Sequence, residues 1–293
     1  MLLKKGGFLN FIVPMSLTSS ASNSNLHDFL LKNCEQISIS SYGYRPNPVF
    51  SNAEVNCSIV SFIKTNTPAK QLLTTKINKR YKGQNLQDLI KNLKFTNSLH
   101  LLKNGRIPKI SEQIEADILG KIYQIKGSIK DLLSDASDAV PIFYRTSGGL
   151  YYKIVTSFAT NSSKEAVLNL QPKYAKTIAA IMSSSLYYWR WLINSNWLDM
   201  RSYEILDFPV PIEKISDTAI AQIEARYAEY ERDLLKNSKP YRSKGEPAYY
   251  AKFSKHISDE IDRLICPLYA LTPDETEFII NYELEFRTDN KGE

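Results

Sequence analysis

Residues Lys4 to Pro14 read KKGGFLNFIVP and predict the first element of an α/β region. Within them, Gly7 to Val13 is a short apolar run bounded by a Gly-Gly pair and a proline, which is typical of a strand buried on both faces of a sheet. The lysines, the apolar run and the small residues after it imitate a secretory signal, but Asn10 and Pro14 interrupt the apolar stretch. We therefore predict a buried strand here.

A helix and two further strands follow this run in the sequence. Asn25 can cap a helix over Leu26 to Asn33, whose apolar residues share one face, and Gln36 to Ser40 has the composition of a strand. Glu54 to Lys64 alternates apolar and polar residues before it becomes apolar, which indicates a third strand. These segments predict an α/β domain over residues 1–66.

The middle of the chain, residues 67–212, has the signals of a mixed domain. Residues 111–126 carry an apolar stripe at helical spacing, and the β-rich runs Pro141 to Arg145 and Leu150 to Phe158 flank a Thr-Ser-Gly-Gly hairpin signal. A long helix is predicted from Pro172 to Asn196. Helical spacing favours core packing for the three tryptophans, Trp189, Trp191 and Trp197.

The C-terminal region, residues 213–293, has helical signals. Asp217 can cap a helix whose apolar residues recur at steps of three and four, and Thr272 to Glu275 is a capping box with proline at the first helical position. The overall fold class is therefore predicted as α/β plus α+β, with a helical tail.

The charge of the chain is concentrated in one stretch. The 293 residues include 37 Lys and Arg and 31 Asp and Glu, a net charge of +6. Residues 64–110 hold nine lysines, two arginines and a single acid, Asp88, so this stretch alone carries +10. Such a stretch favours a polyanionic partner. The alternative is a solubilising surface.

Several kinds of chemistry lack a motif in this sequence. The glycine-rich nucleotide loops and the nucleophile elbow are missing, and the three cysteines and three histidines have no zinc-ligand spacing. Free thiols indicate a reducing, cytoplasmic location, and no segment approaches the roughly 18 apolar residues of a membrane-spanning helix. Carboxylate groups such as Asp259, Glu260 and Asp262 are interpreted as solvated helix faces. No catalytic or metal-binding residue is predicted.

The order of several motifs resembles that in amino-type adenine-specific DNA methyltransferases. The Gly-Gly-led strand and the later segment RPNPVFSNAEVNCSIVSFIK (45–64) look like the back half of their catalytic domain. Four further strings resemble the Taq-type specificity region of these enzymes and of type IIG restriction-modification proteins: YRTSGGLYYK (144–153), SSLYYWRWLINSNW (184–197), DFPVP (207–211) and the segment 260–287. The resemblance spans nearly the whole chain.

The resemblance implies the C-terminal part of such an enzyme. Residues 1–66 would be the remnant of a Rossmann-like methyltransferase sheet, 67–212 a target-recognition domain that binds double-stranded DNA, and 213–293 a helical tail. Phe50 matches the aromatic side chain that stacks on the flipped adenine, and Tyr42 or Tyr44 could add to this surface. The alternative for Phe50 is core packing, and for Arg145 a plain turn. The predicted DNA contacts are Tyr44, Arg45, Lys76, Lys79, Arg80, Lys82 and Arg145.

The chain departs from this family in its cofactor and catalytic motifs. The family needs a Gly-containing S-adenosylmethionine loop and an Asn/Asp-Pro-Pro-Tyr/Phe motif, and this sequence has neither. Asn47 to Phe50 (NPVF) lacks the second proline and lies after the Gly-Gly strand, so it is interpreted as a turn.

The missing motifs have a consequence for the parent reaction. The resemblance implies that an N-terminal methyltransferase half, encoded separately, binds S-adenosylmethionine. It also implies that this chain is inactive alone. The first strand of this chain is then expected to have an open edge. The alternatives are a non-catalytic DNA-binding specificity subunit and a remnant of a restriction-modification gene.

Overall fold

The computed structural model describes residues 3–50, 53–148, 151–240 and 247–288. These residues form two compact units. Unit 1 contains the described residues up to Gly120 together with Leu192–Trp197, and unit 2 contains Lys121–Trp191 and the described residues from Leu198 onward. The predicted boundary at residue 66 falls between two strands of one sheet, because the strand Gln71–Asn78 pairs with the strand Gln36–Tyr42.

Unit 1 is built on a five-stranded mixed sheet with the order β1-β3-β2-β4-β5. β3 is antiparallel to both β1 and β2, and β2 is parallel to β4, so β1, β2 and β4 run in the same direction. The three strands predicted in residues 1–66 are confirmed. The strands are β1 (Phe8–Pro14), β2 (Gln36–Tyr42), β3 (Cys57–Ile63), β4 (Gln71–Asn78) and β5 (Thr96–Asn97).

Strand β1 differs from the prediction that both its faces are buried. Among the described residues it pairs with β3 alone and lies at the edge of the sheet, as the open-edge prediction requires. Phe8, Phe11 and Ile12 are 59%, 57% and 53% exposed, because no described element covers them. The apolar run fits a buried strand, and within this chain its burial is incomplete.

The helices that begin in unit 1 are α1 (Ser16–Ser19), α2 (Ser24–Asn33), α3 (Leu86–Lys91) and α4 (Gln113–Tyr123). The predicted helix at Leu26–Asn33 is confirmed, but it begins at Ser24 and its N-cap is Asn23 instead of Asn25. Leu30 of α2 packs into a core cluster with Ile37 and Ile39 of β2 and Val60 of β3. This apolar cluster fixes the helix on the sheet.

Unit 2 contains a second, three-stranded sheet with the order β7-β6-β8. Its strands are β6 (Val140–Arg145), β7 (Val155–Thr156) and β8 (Glu165–Leu170), all paired antiparallel. The predicted hairpin is confirmed in the pairing of β6 with β7, although β7 is shorter than expected and Gly149 and Leu150 lie outside the described residues. A two-stranded ribbon, β9 (Lys239–Pro240) and β10 (Pro247–Ala248), lies further along the chain.

The helix predicted from Pro172 to Asn196 is two helices, α5 (Ala175–Met182) and α6 (Ser185–Asn194). The break follows from side-chain chemistry: Ser184 donates its hydroxyl proton to the Ile181 carbonyl at 2.6 Å. The Asp262 carboxylate accepts from the backbone N–H groups of Ser185 (3.0 Å) and Leu186 (3.1 Å) and so caps α6. The prediction that Asp262 lies on a solvated helix face is wrong, because this residue is fully buried; burial raises its pKa.

The remaining helices are α7 (Ser202–Leu206), α8 (Asp217–Lys236), α9 (Lys255–Ile265), α10 (Pro273–Asn281) and α11 (Leu284–Thr288). The N-cap of α8 is Ser216 instead of Asp217, because the Ser216 hydroxyl accepts from the Ala219 N–H. The capping box of α10 at Thr272 is confirmed. In the described part of the chain, no helix is long and apolar enough to cross a membrane.

Candidate functional site

The candidate site lies where β2 and β4 of unit 1 end. These strands are parallel, and Tyr42 at the end of β2 is paired with Asn78 at the end of β4. The loops that follow these strands, residues 43–50 and 79–82, therefore begin at the same end of the sheet. They are called the carboxyl-end loops below. Their backbones meet in an isolated β-bridge between Asn47 and Arg80. In open α/β sheets, ligands bind outside the carboxyl ends of the strands.

The inner side of loop 43–50 is fixed by residues that sequence reasoning did not connect with it. A Cβ atom on Gly43 would lie 2.5 Å from the ring of Trp197, so glycine is required for this contact. The Tyr44 N–H donates to the side-chain oxygen of Asn56 at 2.8 Å, and the Asn56 amide donates to the Asn196 carbonyl at 2.7 Å. Asn56 thus ties the loop to the segment that carries the buried Trp197.

Lys79 lies inside this arrangement. It is only 7% exposed, and its Nζ lies 4.7 Å from the centroid of the Trp197 ring. The aliphatic stem is sheltered from water and the ammonium group is stabilised by the ring. Lys79 is thus largely buried, and its contact with DNA stays a prediction.

The Arg80 guanidinium binds the neighbouring loop. Its Nη2 donates to the Pro48 carbonyl at 2.5 Å. The hydrogen-bonding groups around Asn47 fit its side-chain amide when the oxygen faces Arg80. In this orientation the oxygen accepts from Arg80 Nε at 3.1 Å and from Nη2 at 2.8 Å. Arg80 is thus engaged within the site.

The outward side of the carboxyl-end loops combines an aromatic ring with cations. Phe50 is 42% exposed, so it is not a core residue in this chain. The exposed Arg45 guanidinium lies 5.4 Å from the centroid of the Tyr44 ring. Lys76 and Lys82 are exposed, and their ammonium groups make no hydrogen bond or ion pair with any described residue. Tyr44, Arg45 and Phe50 thus lie on one loop. Lys76 and Lys82, which are predicted DNA contacts, lie at the same end of the sheet.

Arg145 belongs to unit 2 and is half-buried at the end of β6. Its backbone N–H donates to the Ile154 carbonyl at 3.1 Å, across the hairpin. Its Nε is buried and has no hydrogen-bond partner among the described residues. Gly148, near the hairpin tip, has a φ of +77°, which glycine adopts without strain.

Unit 2 also contains a buried lysine that sequence reasoning missed. Lys153 is 4% exposed, its Nζ lies 3.4 Å from the centroid of the Trp191 ring, and Nζ has no hydrogen-bond partner within the described residues. Burial lowers its pKa to about 7, although the Glu204 and Asp199 carboxylates act in the opposite direction. Trp191 Nε1 donates to Glu204 at 3.1 Å. The predicted core packing of the tryptophans is confirmed, since all three are buried.

The glycine of loop 43–50 does not fit a cofactor loop for S-adenosylmethionine. Gly43, the glycine of loop 43–50, is covered by the Trp197 ring, so its backbone forms no open cradle. No group of three or more His, Cys, Asp or Glu in the described ranges could hold a metal ion. We derive no step through a cofactor bound to this chain.

Comparison with known proteins gives weak structural likeness. No protein-family model and no curated protein matches the chain. Among solved structures, the ATP-dependent Type ISP restriction-modification enzyme LlaBIII bound to DNA is similar over 51% of this chain, with a TM-score of 0.30 and 14% identity. The matched region spans 11% of that enzyme. This likeness shows neither the fold nor the function of the present chain, and it does not support adenine methylation in particular.

Proposed function

We propose that this chain is the DNA-recognition and adenine-positioning part of a site-specific adenine DNA methyltransferase. The observation that supports this best is the exposed Phe50 ring on a fixed loop, at the same sheet edge as exposed cations. The complete enzyme would transfer a methyl group from S-adenosylmethionine to the exocyclic amine of adenine. This chain would position the base and hold the duplex, and it would be inactive alone.

The phosphate contacts are assigned to the exposed cations of unit 1. Arg45, Lys76 and Lys82 present their charges to solvent, whereas Lys79 and Arg80 are engaged within the site. Contacts to phosphates fix the register of a protein on DNA and carry no sequence information. Arg145 of unit 2, which is half-buried at the end of β6, is assigned a separate contact to a base edge or phosphate.

Phe50 is assigned the contact with the extruded base. Extrusion of a base from duplex DNA costs a few kcal/mol, and this cost is lower for an unpaired base. Stacking of a base on an aromatic side chain recovers about 1–3 kcal/mol. Because 42% of Phe50 is exposed, part of this residue is accessible to a base.

A methyltransferase half that holds the catalytic motif is the proposed partner. Strand β1 is an edge strand with exposed Phe8, Phe11 and Ile12, and its outer backbone groups have no strand partner among the described residues. A strand of the partner could extend the sheet through β1 and cover these side chains. S-adenosylmethionine would bind to that half.

The proposal predicts a preference for an unpaired adenine. The affinity of the chain should be about tenfold higher for a duplex with one adenine opposite an abasic site than for the same duplex fully paired. Phe50→Ala should lose this preference, because the stacking surface is removed. Fluorescence anisotropy with both duplexes measures the two dissociation constants.

Phe11→Ala is the matched control, because Phe11 is an exposed phenylalanine on the same sheet. It should keep the preference. Salt-sensitive binding without any preference in the wild-type chain would contradict adenine positioning and favour a non-catalytic DNA-binding subunit.

A further inference from the structure

Arg80 contacts two consecutive residues of loop 43–50. Its guanidinium donates to the Pro48 carbonyl at 2.5 Å and, through Nε and Nη2, to the side-chain oxygen of Asn47 at 3.1 and 2.8 Å. The backbones of Asn47 and Arg80 form a β-bridge beside these bonds. Side-chain and backbone contacts therefore hold the same part of the loop.

The contact is placed where it determines the position of Phe50. At its start, the loop is held by the Gly43 N–H, which donates to the Asn78 carbonyl at 3.0 Å, and by the bond from Tyr44 to Asn56. Pro48 lies two residues before Phe50. The bond from Arg80 to Pro48 thus fixes the loop close to the exposed ring.

The chemistry of this contact requires arginine. A guanidinium is a planar fork of donors that can bond two acceptors at once, whereas a lysine ammonium is a flexible point charge. These loop bonds use Nε and Nη2, so a phosphate contact through either of these nitrogens would compete with them. We infer that Arg80 is a positioning residue for Phe50 and not a phosphate contact; this inference rests on the proposed function.

Three variants test the inference: Arg80→Ala, Arg80→Lys and Asn47→Ala. The first readout is the preference for a duplex with an adenine opposite an abasic site over the paired duplex. The second is the slope of log affinity for the paired duplex against log salt concentration. We expect all three variants to reduce the roughly tenfold preference to less than about threefold, as Phe50→Ala does, and to leave the salt slope at the wild-type value.

Asn47→Ala is the decisive variant, because it removes an acceptor of Arg80 without changing the charge. Arg80→Lys keeps the charge and loses the fork, so a role in charge alone predicts that it retains wild-type behaviour. A fall of about one in the salt slope of Arg80→Ala, with the preference intact, would overturn the inference and assign Arg80 to a phosphate. Retention of the preference by Arg80→Lys and Asn47→Ala would overturn it as well.

The same data separate this inference from the proposed function. If Phe50→Ala keeps the preference, adenine positioning by Phe50 is wrong and the positioning role of Arg80 fails with it. If Phe50→Ala loses the preference while Asn47→Ala and Arg80→Lys keep it, only the inference about Arg80 fails. Thermal unfolding of Asn47→Ala and Arg80→Lys within a few degrees of wild type shows that a lost preference is not a loss of fold.

Discussion

Each unit contains a buried lysine over a tryptophan ring, and the two pairs have different surroundings. In unit 1, Lys79 Nζ lies 4.7 Å from the centroid of Trp197, whose ring also contacts Gly43 of the candidate site. In unit 2, Lys153 Nζ lies 3.4 Å from the centroid of Trp191 and has no hydrogen-bond partner among the described residues. The first pair lies under a loop of the candidate site, and the second is buried with no hydrogen-bond acceptor for Nζ in the described ranges.

The backbone conformation of Trp197 is a further feature of the pair in unit 1. Its φ is +57°, in the left-handed region that a bulky side chain rarely adopts. Such a conformation persists where the surrounding structure enforces it, and it is common near functional sites. We expect the pair in unit 1 to support the candidate site and the pair in unit 2 to lower the stability of its core by burying a charge.

The largest expected effect comes from removing the tryptophans. Trp197→Ala and Trp191→Ala should each lower the free energy of unfolding by about 4 kcal/mol, because each deletes a fully buried aromatic side chain. Only Trp197 supports loop 43–50, so Trp197→Phe should weaken the preference for an unpaired adenine and Trp191→Phe should not. Urea unfolding followed by circular dichroism gives the stabilities. An equal loss of preference in both Phe variants would contradict the contrast between the two pairs.

The next effect is the pH dependence that Lys153 brings to stability. Burial lowers its pKa from 10.5 to about 7, so between these values the unfolded chain binds more protons than the folded chain, and the free energy of unfolding rises with pH. Lys153→Met should be more stable than wild type at pH 7, and this difference should shrink by about 2 kcal/mol by about pH 9. Urea unfolding at a series of pH values measures it.

Lys153→Arg is the matched variant, because it keeps a charge at every pH tested. It should be less stable than Lys153→Met at both ends of the range. Parallel stability profiles of wild type and Lys153→Met would show that Lys153 does not titrate in this window.

Local patterns predicted the elements better than the site. The strands near Gly7, Gln36 and Glu54, the hairpin and the capping box at Thr272 are confirmed, because each depends on neighbouring residues. The contact between Gly43 and Trp197 joins positions far apart in the chain, and no periodicity indicates it.

The charge count over residues 64–110 shows the same limit. The count predicts one basic surface from eleven cations, yet Lys79, Arg106 and Lys109 are buried. Lys109, for example, donates to the Ile193 carbonyl at 2.9 Å. Whether a cation points inward depends on tertiary contacts such as these, which a window of sequence does not contain.

The account depends on a DNA-binding surface at the carboxyl end of the unit 1 sheet. The double variant Lys76→Ala, Lys82→Ala removes two exposed cations at this end. The matched double variant Lys70→Ala, Lys94→Ala removes two cations that are paired with Glu35 and Glu112. Lys70 directly precedes β4, at the opposite end of that strand. Both variants change the net charge equally.

The most direct test is the salt dependence of duplex binding by wild type and these two variants. We expect the slope of log affinity against log salt concentration to become shallower by about two units in the Lys76, Lys82 variant, because each lost phosphate contact removes about 0.9. The Lys70, Lys94 variant should keep the wild-type slope. Equal slopes in all three proteins, or an equal change in both variants, would contradict the assignment of the carboxyl end of the unit 1 sheet as the DNA-binding surface.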